Sequence, residues 1–327
     1  MSIPAKVFIT GAHGFIGRAL LQRYQALGAE VVGVDLQGHP GQNIHAADVA
    51  QAGAWQRLAD GCELVIHTAA VVANSAPAQL YRAVSVGSVR LALEAALQGG
   101  ASRFVHLSSI AAYGLDFSSE RRETDAISLL SGYPYCDAKA ASEHAALAAH
   151  AAGEIDCTII RPGDVYGPGS RPWVLIPLAM IGKRQFFLPD AGQGVFSPVY
   201  IDNLVDGIVL AASAAQAAGQ IFNITDGVSV SCAEFFAHHW RWAGHRGQVP
   251  QVPGFMAAAY TRIAHILLNE LLKQNTEISP ASLAMLRRRA GYAIAKAEKM
   301  LGYRAQVDLA TGLHRTERWL RENALLR

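Results

Sequence analysis

Four cysteines in 327 residues are too few and too scattered to organise a fold. Cys62, Cys136, Cys157 and Cys232 show no paired spacing, so neither a zinc site nor a disulfide framework is expected, and reduced thiols fit a cytoplasmic protein. An excess of one charge is also missing. The 28 Lys and Arg against 26 Asp and Glu leave a formal net charge of +2, too weak a field to imply nucleic acid or an anionic membrane surface as partner. Charged residues are 17% of the chain and hydrophobic ones 51%, a balance that excludes disorder and fits a compact enzyme with an ample core. No long apolar run is unbroken: residues 255–272 come nearest, yet Arg262, His265 and Glu270 interrupt them, so no membrane span is expected. No charged and apolar leader precedes the first strand, no secretion signal is expected, and there is no internal repeat or low-complexity tract.

What is present begins at once. Lys6-Val7-Phe8-Ile9 reads as a buried strand and runs into Thr10-Gly11-Ala12-His13-Gly14-Phe15-Ile16-Gly17. Residues 18–24 then follow a helical pattern, with Leu20, Tyr24 and Leu27 on one stripe. The glycines therefore sit at a strand-to-helix turn. Gly11 permits the tight turn, Gly14 lets backbone approach a diphosphate, and Gly17 lets the helix lie close to the strand. The helix N-terminus offers free N–H groups to the phosphates. A second strand, Glu30 to Val34, ends at Asp35, placed to accept hydrogen bonds from both hydroxyls of an adenosine ribose. A 2′-phosphate there would meet a carboxylate, which favours NAD over NADP. Arg18 reads as a solvated helix residue.

Beyond this unit, strands at 64–67, 104–107, 157–160 and 220–224 alternate with helices at 84–97, 138–151 and 202–215. That alternation predicts an α/β fold: a Rossmann-type doubly wound parallel sheet with a smaller, discontinuous C-terminal substrate lobe. The expected division is a dinucleotide-binding domain over residues 1–165 with a return segment at 199–225, and a substrate lobe over 166–198 and 226–327. Ser279-Pro280 is a good helix start and Gly302 a good stop. The alanine-rich helices suit close packing between subunits, giving a homodimer as one expectation and packing within the chain as the other.

The chemistry is expected from Ser109, Tyr135 and Lys139. Residues four apart share a helix face, so the Lys139 ammonium can lie near the Tyr135 phenol and a cofactor ribose. A free phenol has a pKa of ~10, and bringing it near 7 takes roughly 4 kcal/mol of help from nearby positive charge. Ser109, just past a strand at the carboxyl edge of the sheet, would hold the substrate oxygen beside Tyr135 during hydride transfer. Tyr133 is a decoy, because its partner four residues on is Asp137, which would raise its pKa.

Collectively, Thr10 to Gly17, Asp35, Asp48-Val49, His67-Thr68-Ala69-Ala70, Ser108-Ser109, Tyr113-Gly114, Tyr135 with Lys139, Arg161 to Gly169 and Tyr200-Ile201-Asp202-Asn203 resemble the extended short-chain dehydrogenase/reductases, the NAD-dependent epimerase/dehydratase superfamily. The resemblance covers essentially the whole chain. It implies an NAD site in which Asp48 and Val49 border adenine, Ala69 and Ala70 line the diphosphate, and Pro162 and Val165 approach the nicotinamide. Leu36, Thr68, Leu107, Ser108 and Gly163 complete the expected cofactor set. Ser85 departs from the pattern, where Asn is usual. Val71, Ser109, Ile110, Asp164, Tyr166, Trp173 and Phe196 are the expected substrate residues.

The reaction is narrowed by two positions. Relatives acting on nucleotide sugars commonly carry Asn after Arg-Pro-x and Arg before Val-x-Asp, where this chain has Asp164 and Phe196. A carboxylate repels a diphosphate and a phenyl ring cannot bind one. Arg171, Lys183, Arg184 and the Arg287-Arg288-Arg289 run could compensate, although that run reads rather as a solvated helix face. Residues 173–181, 186–189 and 255–260 read as apolar walls for a lipophilic ligand. The tail, with Ile278-Ser279-Pro280, Lys296-Ala297, Leu301-Gly302-Tyr303 and Gly312-Leu313 to Trp319, resembles the 3β-hydroxysteroid dehydrogenase-like branch. The expected activity is interconversion of a secondary alcohol and a ketone on a small lipophilic molecule. The alternatives are a nucleotide-sugar 4-epimerase or dehydratase using the same trio, and a protein that senses NAD without turnover.

Overall fold

The computed structural model describes residues 3–72, 76–271 and 277–326. Its centre is a seven-stranded parallel sheet. The strands are β1 (Lys6–Thr10), β2 (Glu30–Asp35), β3 (Ile44–Ala46), β4 (Leu64–His67), β5 (Arg103–Leu107), β6 (Asp156–Pro162) and a last strand, Ile221–Ile224. In space they run Ile221–Ile224, β6, β5, β4, β1, β2, β3, so the order reverses at β1 and β4. Val7 sits between Val31 and Leu64, and Thr10 between Val34 and His67. That register puts the carboxyl ends of β1, β2 and β4 level along one edge, the place where open α/β sheets bind ligands.

Alternation along each strand feeds two cores. Val7 and Ile9 face one layer, with Leu20, Tyr24, Leu204 and Ile208; Phe8 faces the other, with Val32, Val65, Val89 and Phe104. A parallel sheet covered on both faces explains why these strands read as unbroken apolar runs. The covering helices are α1 (Phe15–Ala26), Ser88–Gly99, Pro134–Ala151 and Ile201–Ser213. Helix Ser88–Gly99 is preceded by a wider π-helical segment, Tyr81–Gly87, where the sequence pattern suggested one helix from residue 84. Helices Ser88–Gly99 and Pro134–Ala151 pack on each other within the chain.

The region expected to form a substrate lobe contains helices Ile176–Gly182, Cys232–Trp242 and Gly254–His265 with short strand pairs between them. The start at Ser279 and the stop at Gly302 belong to two different helices. Ser279 caps Pro280–Met285, accepting from the Ser282 N–H at 3.1 Å, and Gly302, in the left-handed region at φ 65°, ends Ala295–Leu301. Between them the chain leaves the helix and carries Arg288 inward, at 3% exposure, while Arg287 and Arg289 stay in solvent, so the run is neither helical nor solvated throughout. All four cysteines are buried and free. Among the described residues, no helix is long and apolar enough to cross a membrane.

Candidate active site

The glycine turn leaves no room for side chains. Gly11 has φ +67°, and a Cβ there would stand 2.8–2.9 Å from Thr68 and Ala69; a Cβ on Gly17 would stand 2.1 Å from the Gly11 carbonyl. Backbone is thereby exposed where a diphosphate needs it. At the end of β2, Asp35 accepts from the His13 N–H at 2.9 Å and the Leu36 N–H at 2.7 Å, which holds its carboxylate at the rim. His13 stacks on His39 with ring centroids 3.6 Å apart.

One cleft of about 680 Å³ runs from this turn into the substrate lobe. Gly11, His13, Gly14, Phe15, Ile16 and Gly17 line its dinucleotide end with Asp35, Leu36, Asp48 and Val49. Thr68, Ala69, Ala70 and Ser108 line its middle with Pro162, Gly163 and Val165. Arg18 is exposed and also lines the cleft. A charge-poor trough, a glycine cradle and an acidic rim residue fit an NAD molecule.

Ser109, Ile110 and Tyr135 line the same cleft beyond the cradle. Ser109 lies two residues past β5 and caps the turn Ile110–Tyr113, accepting from the Ala111 N–H at 3.1 Å. Tyr135 lies in the first turn of helix Pro134–Ala151, started by a proline that fixes the backbone. Burial pushes the Tyr135 phenol up to about 12, against a lowering effect of the nearby Ser109 hydroxyl; Cys136, Tyr81 and Asp164 add smaller raising effects. The protein's own groups thus leave this phenol above its ordinary value, where the sequence suggested that Lys139 would bring it down.

Lys139 does not line the cleft. It is 5% exposed, and its Nζ donates to the Leu107 carbonyl at 2.8 Å. Burial pulls it down to about 8, opposed by Glu143. Leu107 is likewise behind the wall, as the acceptor for Lys139 rather than a surface for the cofactor. Tyr133 has a raised pKa, first from burial and then from Cys136 and Asp116. Asp137, the expected cause, instead accepts from the Ser131 N–H at 2.7 Å and hydroxyl at 2.6 Å.

Several residues to which the sequence pattern assigned no role, Glu143 above all, support this centre. Glu143, one helical turn past Lys139, takes a bidentate pair from Arg161 at 2.8 and 2.7 Å and a hydrogen bond from the Ser108 hydroxyl at 2.5 Å. Arg161 also lies over the Tyr113 ring, 4.5 Å from its centroid. The Lys139-x-x-x-Glu143 spacing was the one legible hint. His67 bridges Thr10 Oγ1 at 2.8 Å and Ser88 Oγ at 3.0 Å, tying β1, β4 and helix Ser88–Gly99 together. Ser85, the departure from the family pattern, accepts from the Val71 N–H at 3.2 Å and holds the loop after β4.

The substrate end is apolar. Trp173, Ile176, Pro177 and Met180 form one wall, Phe186, Phe187 and Tyr260 another, and Leu283, Met285 and Leu286 a third. Asp164 lines it too, buried and paired with Arg288, and accepts from the Ser197 N–H at 2.9 Å. Three expected substrate residues fall elsewhere. Phe196 is fully buried, stacked on Phe235 at 3.9 Å, and Trp173 stands edge-on against it at 4.9 Å, taking the cleft position. Tyr166 is fully buried between Tyr200, Phe235 and Gly312, whose missing side chain makes room for the phenol. Val71 gives way to Val72 at the cleft surface. Phe255 and Met256 also miss the cleft, at 76% and 52% exposure.

A family model described as the NAD dependent epimerase/dehydratase family matches residues 7–225. The chain belongs to this family. Among its relatives within the NAD dependent epimerase/dehydratases is a decarboxylating sterol-4-alpha-carboxylate 3-dehydrogenase of Candida albicans, 26% identical over 80% of this chain and 77% of that protein. Another is a UDP-glucose 4-epimerase of Mycolicibacterium smegmatis, 29% identical over 98% of this chain and 99% of the epimerase. In solved structures, the family fold recurs in the dTDP-glucose 4,6-dehydratase DesIV of Streptomyces venezuelae with NAD bound: TM-score 0.77, 25% identity, 97% of both chains covered. The chain is an extended short-chain dehydrogenase/reductase and an NAD-dependent enzyme.

Proposed function

We propose that this enzyme interconverts a secondary alcohol and a ketone on a small lipophilic substrate, with Tyr135 as acid and base and Ser109 as the clamp on the reacting oxygen. The observation that carries the reading is that Ser109 and Tyr135 line one cleft between a glycine cradle and an apolar chamber. Bound NAD supplies the hydride acceptor and, when oxidised, a positive charge. Ser109 donates to the substrate oxygen and keeps the carbinol within reach of Tyr135. Tyr135 accepts the carbinol proton in oxidation and returns it in reduction. A phenol held at about 12 needs roughly 7 kcal/mol of electrostatic help to ionise near pH 7. Lys139 sits behind the cleft wall with one N–H on the Leu107 carbonyl and, as an ammonium, carries two further donors. The apolar walls exclude water and strengthen these interactions.

A second reading, nucleotide-sugar epimerisation or dehydration with the same trio, draws support from the near full-length likeness to the mycobacterial epimerase. Absorbance of reduced nicotinamide, followed with NAD and two panels of substrates, separates them. Lipophilic alcohols should give net NADH. Sugar-nucleotide conversion without net NADH would overturn the first reading.

A further inference from the structure

The described charged residues that line the substrate end of the cleft are two acids and two bases: Asp164, Glu277, Arg171 and Arg288. A site built for a diphosphate needs an excess of positive charge, and this one has none. Arg171 is exposed, so water and salt screen it. Asp164 and Arg288 are different, at 4% and 3% exposure. They bridge the two halves of the protein: Asp164 follows β6, and Arg288 comes from the coil after helix Pro280–Met285.

The guanidinium is only partly committed. Nε donates to the Met285 carbonyl at 3.1 Å and one Nη to Asp164 Oδ2, and the side chain lines the cleft beside the Met285 and Leu286 walls. Arg288 has five N–H donors, and these two bonds use two; the buried Tyr292 hydroxyl, which has no other partner among the described residues, lies near the guanidinium and competes for a third. Asp164 spends the same oxygen, Oδ2, on the Ser197 N–H. The pair is neutral as a unit, so it offers donors without offering net positive charge. A neutral oxygen in an otherwise apolar chamber gains from those donors. A second anion would face the Asp164 carboxylate in a place where water screens little.

From this geometry we infer that the Asp164–Arg288 pair sets substrate class, hydrogen-bonding an uncharged oxygen distant from the reacting carbon and turning away carboxylate and phosphate groups. The inference rests on the alcohol/ketone reading, and it names two specificity residues for it.

The test uses the enzyme saturated with NAD, and reads UDP binding by calorimetry, which needs no turnover. Asp164→Asn keeps the shape and leaves Arg288 uncompensated, so UDP should bind at least tenfold more tightly than to wild type. Equal affinities, or wild-type binding already in the micromolar range, would overturn the inference. Asp164→Leu with Arg288→Met replaces the buried pair by apolar groups, an exchange that proteins often tolerate. Should Asp164→Asn not fold, this double variant decides alone. It should raise KM at least tenfold more for a lipophilic ketone bearing a remote hydroxyl or keto group than for its deoxygenated analogue. Parallel changes in both would contradict the inference. Wild-type enzyme that turns over no alcohol or ketone would sink the functional reading, while the UDP comparison would still judge the pair.

Discussion

Tyr135 lines the cleft together with Ser109 and has its ring edge-on to Tyr81 at 6.2 Å, so a Phe replacement keeps the packing and deletes one oxygen. Tyr135→Phe should retain cofactor affinity, measured by fluorescence titration, while kcat falls by about 10³ or more. A variant with substantial residual rate would assign the proton transfer to another group. At the other end of the cleft, Asp35 holds two backbone N–H groups and lines the cleft beside the glycine turn. Asp35→Ala should relax discrimination against NADP by about tenfold in kcat/KM, and an unchanged preference would discredit the role given to that carboxylate. At this scale the sequence was most legible where chemistry depends on local spacing, as for the glycines, Ser109 and Tyr135. It was least legible for pairs such as Asp164 with Arg288, 124 residues apart, because nothing local marks a charge that will be buried.

Among the elements, the junction of β1, β4 and helix Ser88–Gly99 depends on a histidine that must stay neutral. Burial pulls His67 down to about 3, with Lys139 adding to the effect. A histidine lowered on folding stabilises the native state fully above its unfolded pKa of ~6.5 and loses that contribution as pH falls toward 3. The loss amounts to at most roughly 5 kcal/mol. Denaturant midpoints should therefore drop between pH 6.5 and 4, and His67→Gln should flatten that slope while lowering stability at pH 7. A slope unchanged by the substitution would show that other groups control acid unfolding. Element positions were legible because both faces of the sheet are covered, which makes each strand a continuous apolar run. The break of the expected helix into Tyr81–Gly87 and Ser88–Gly99 was not, since π-type and α-type turns share nearly the same side-chain pattern. Phe196 and Tyr166 misled for a related reason: an aromatic side chain near a cleft and one in the core look alike until Trp173 and Gly312 are placed.

For the whole molecule, the parallel order with its reversal at β1 and β4 follows from the alternation of strands and helices. The lobe follows much less directly, because its short strands and helices pack through contacts far apart in the chain. Fold and cofactor are common to dehydrogenases, epimerases and dehydratases, so the shape of the cleft, with its apolar chamber and neutral ion pair, has to discriminate between them. The most direct test is the reduced-nicotinamide absorbance of the purified enzyme with NAD and a series of lipophilic secondary alcohols. Steady NADH formation that Tyr135→Phe abolishes is the expected result. Absence of NADH with every alcohol, together with conversion of a UDP- or dTDP-sugar at unchanged absorbance, would contradict the account.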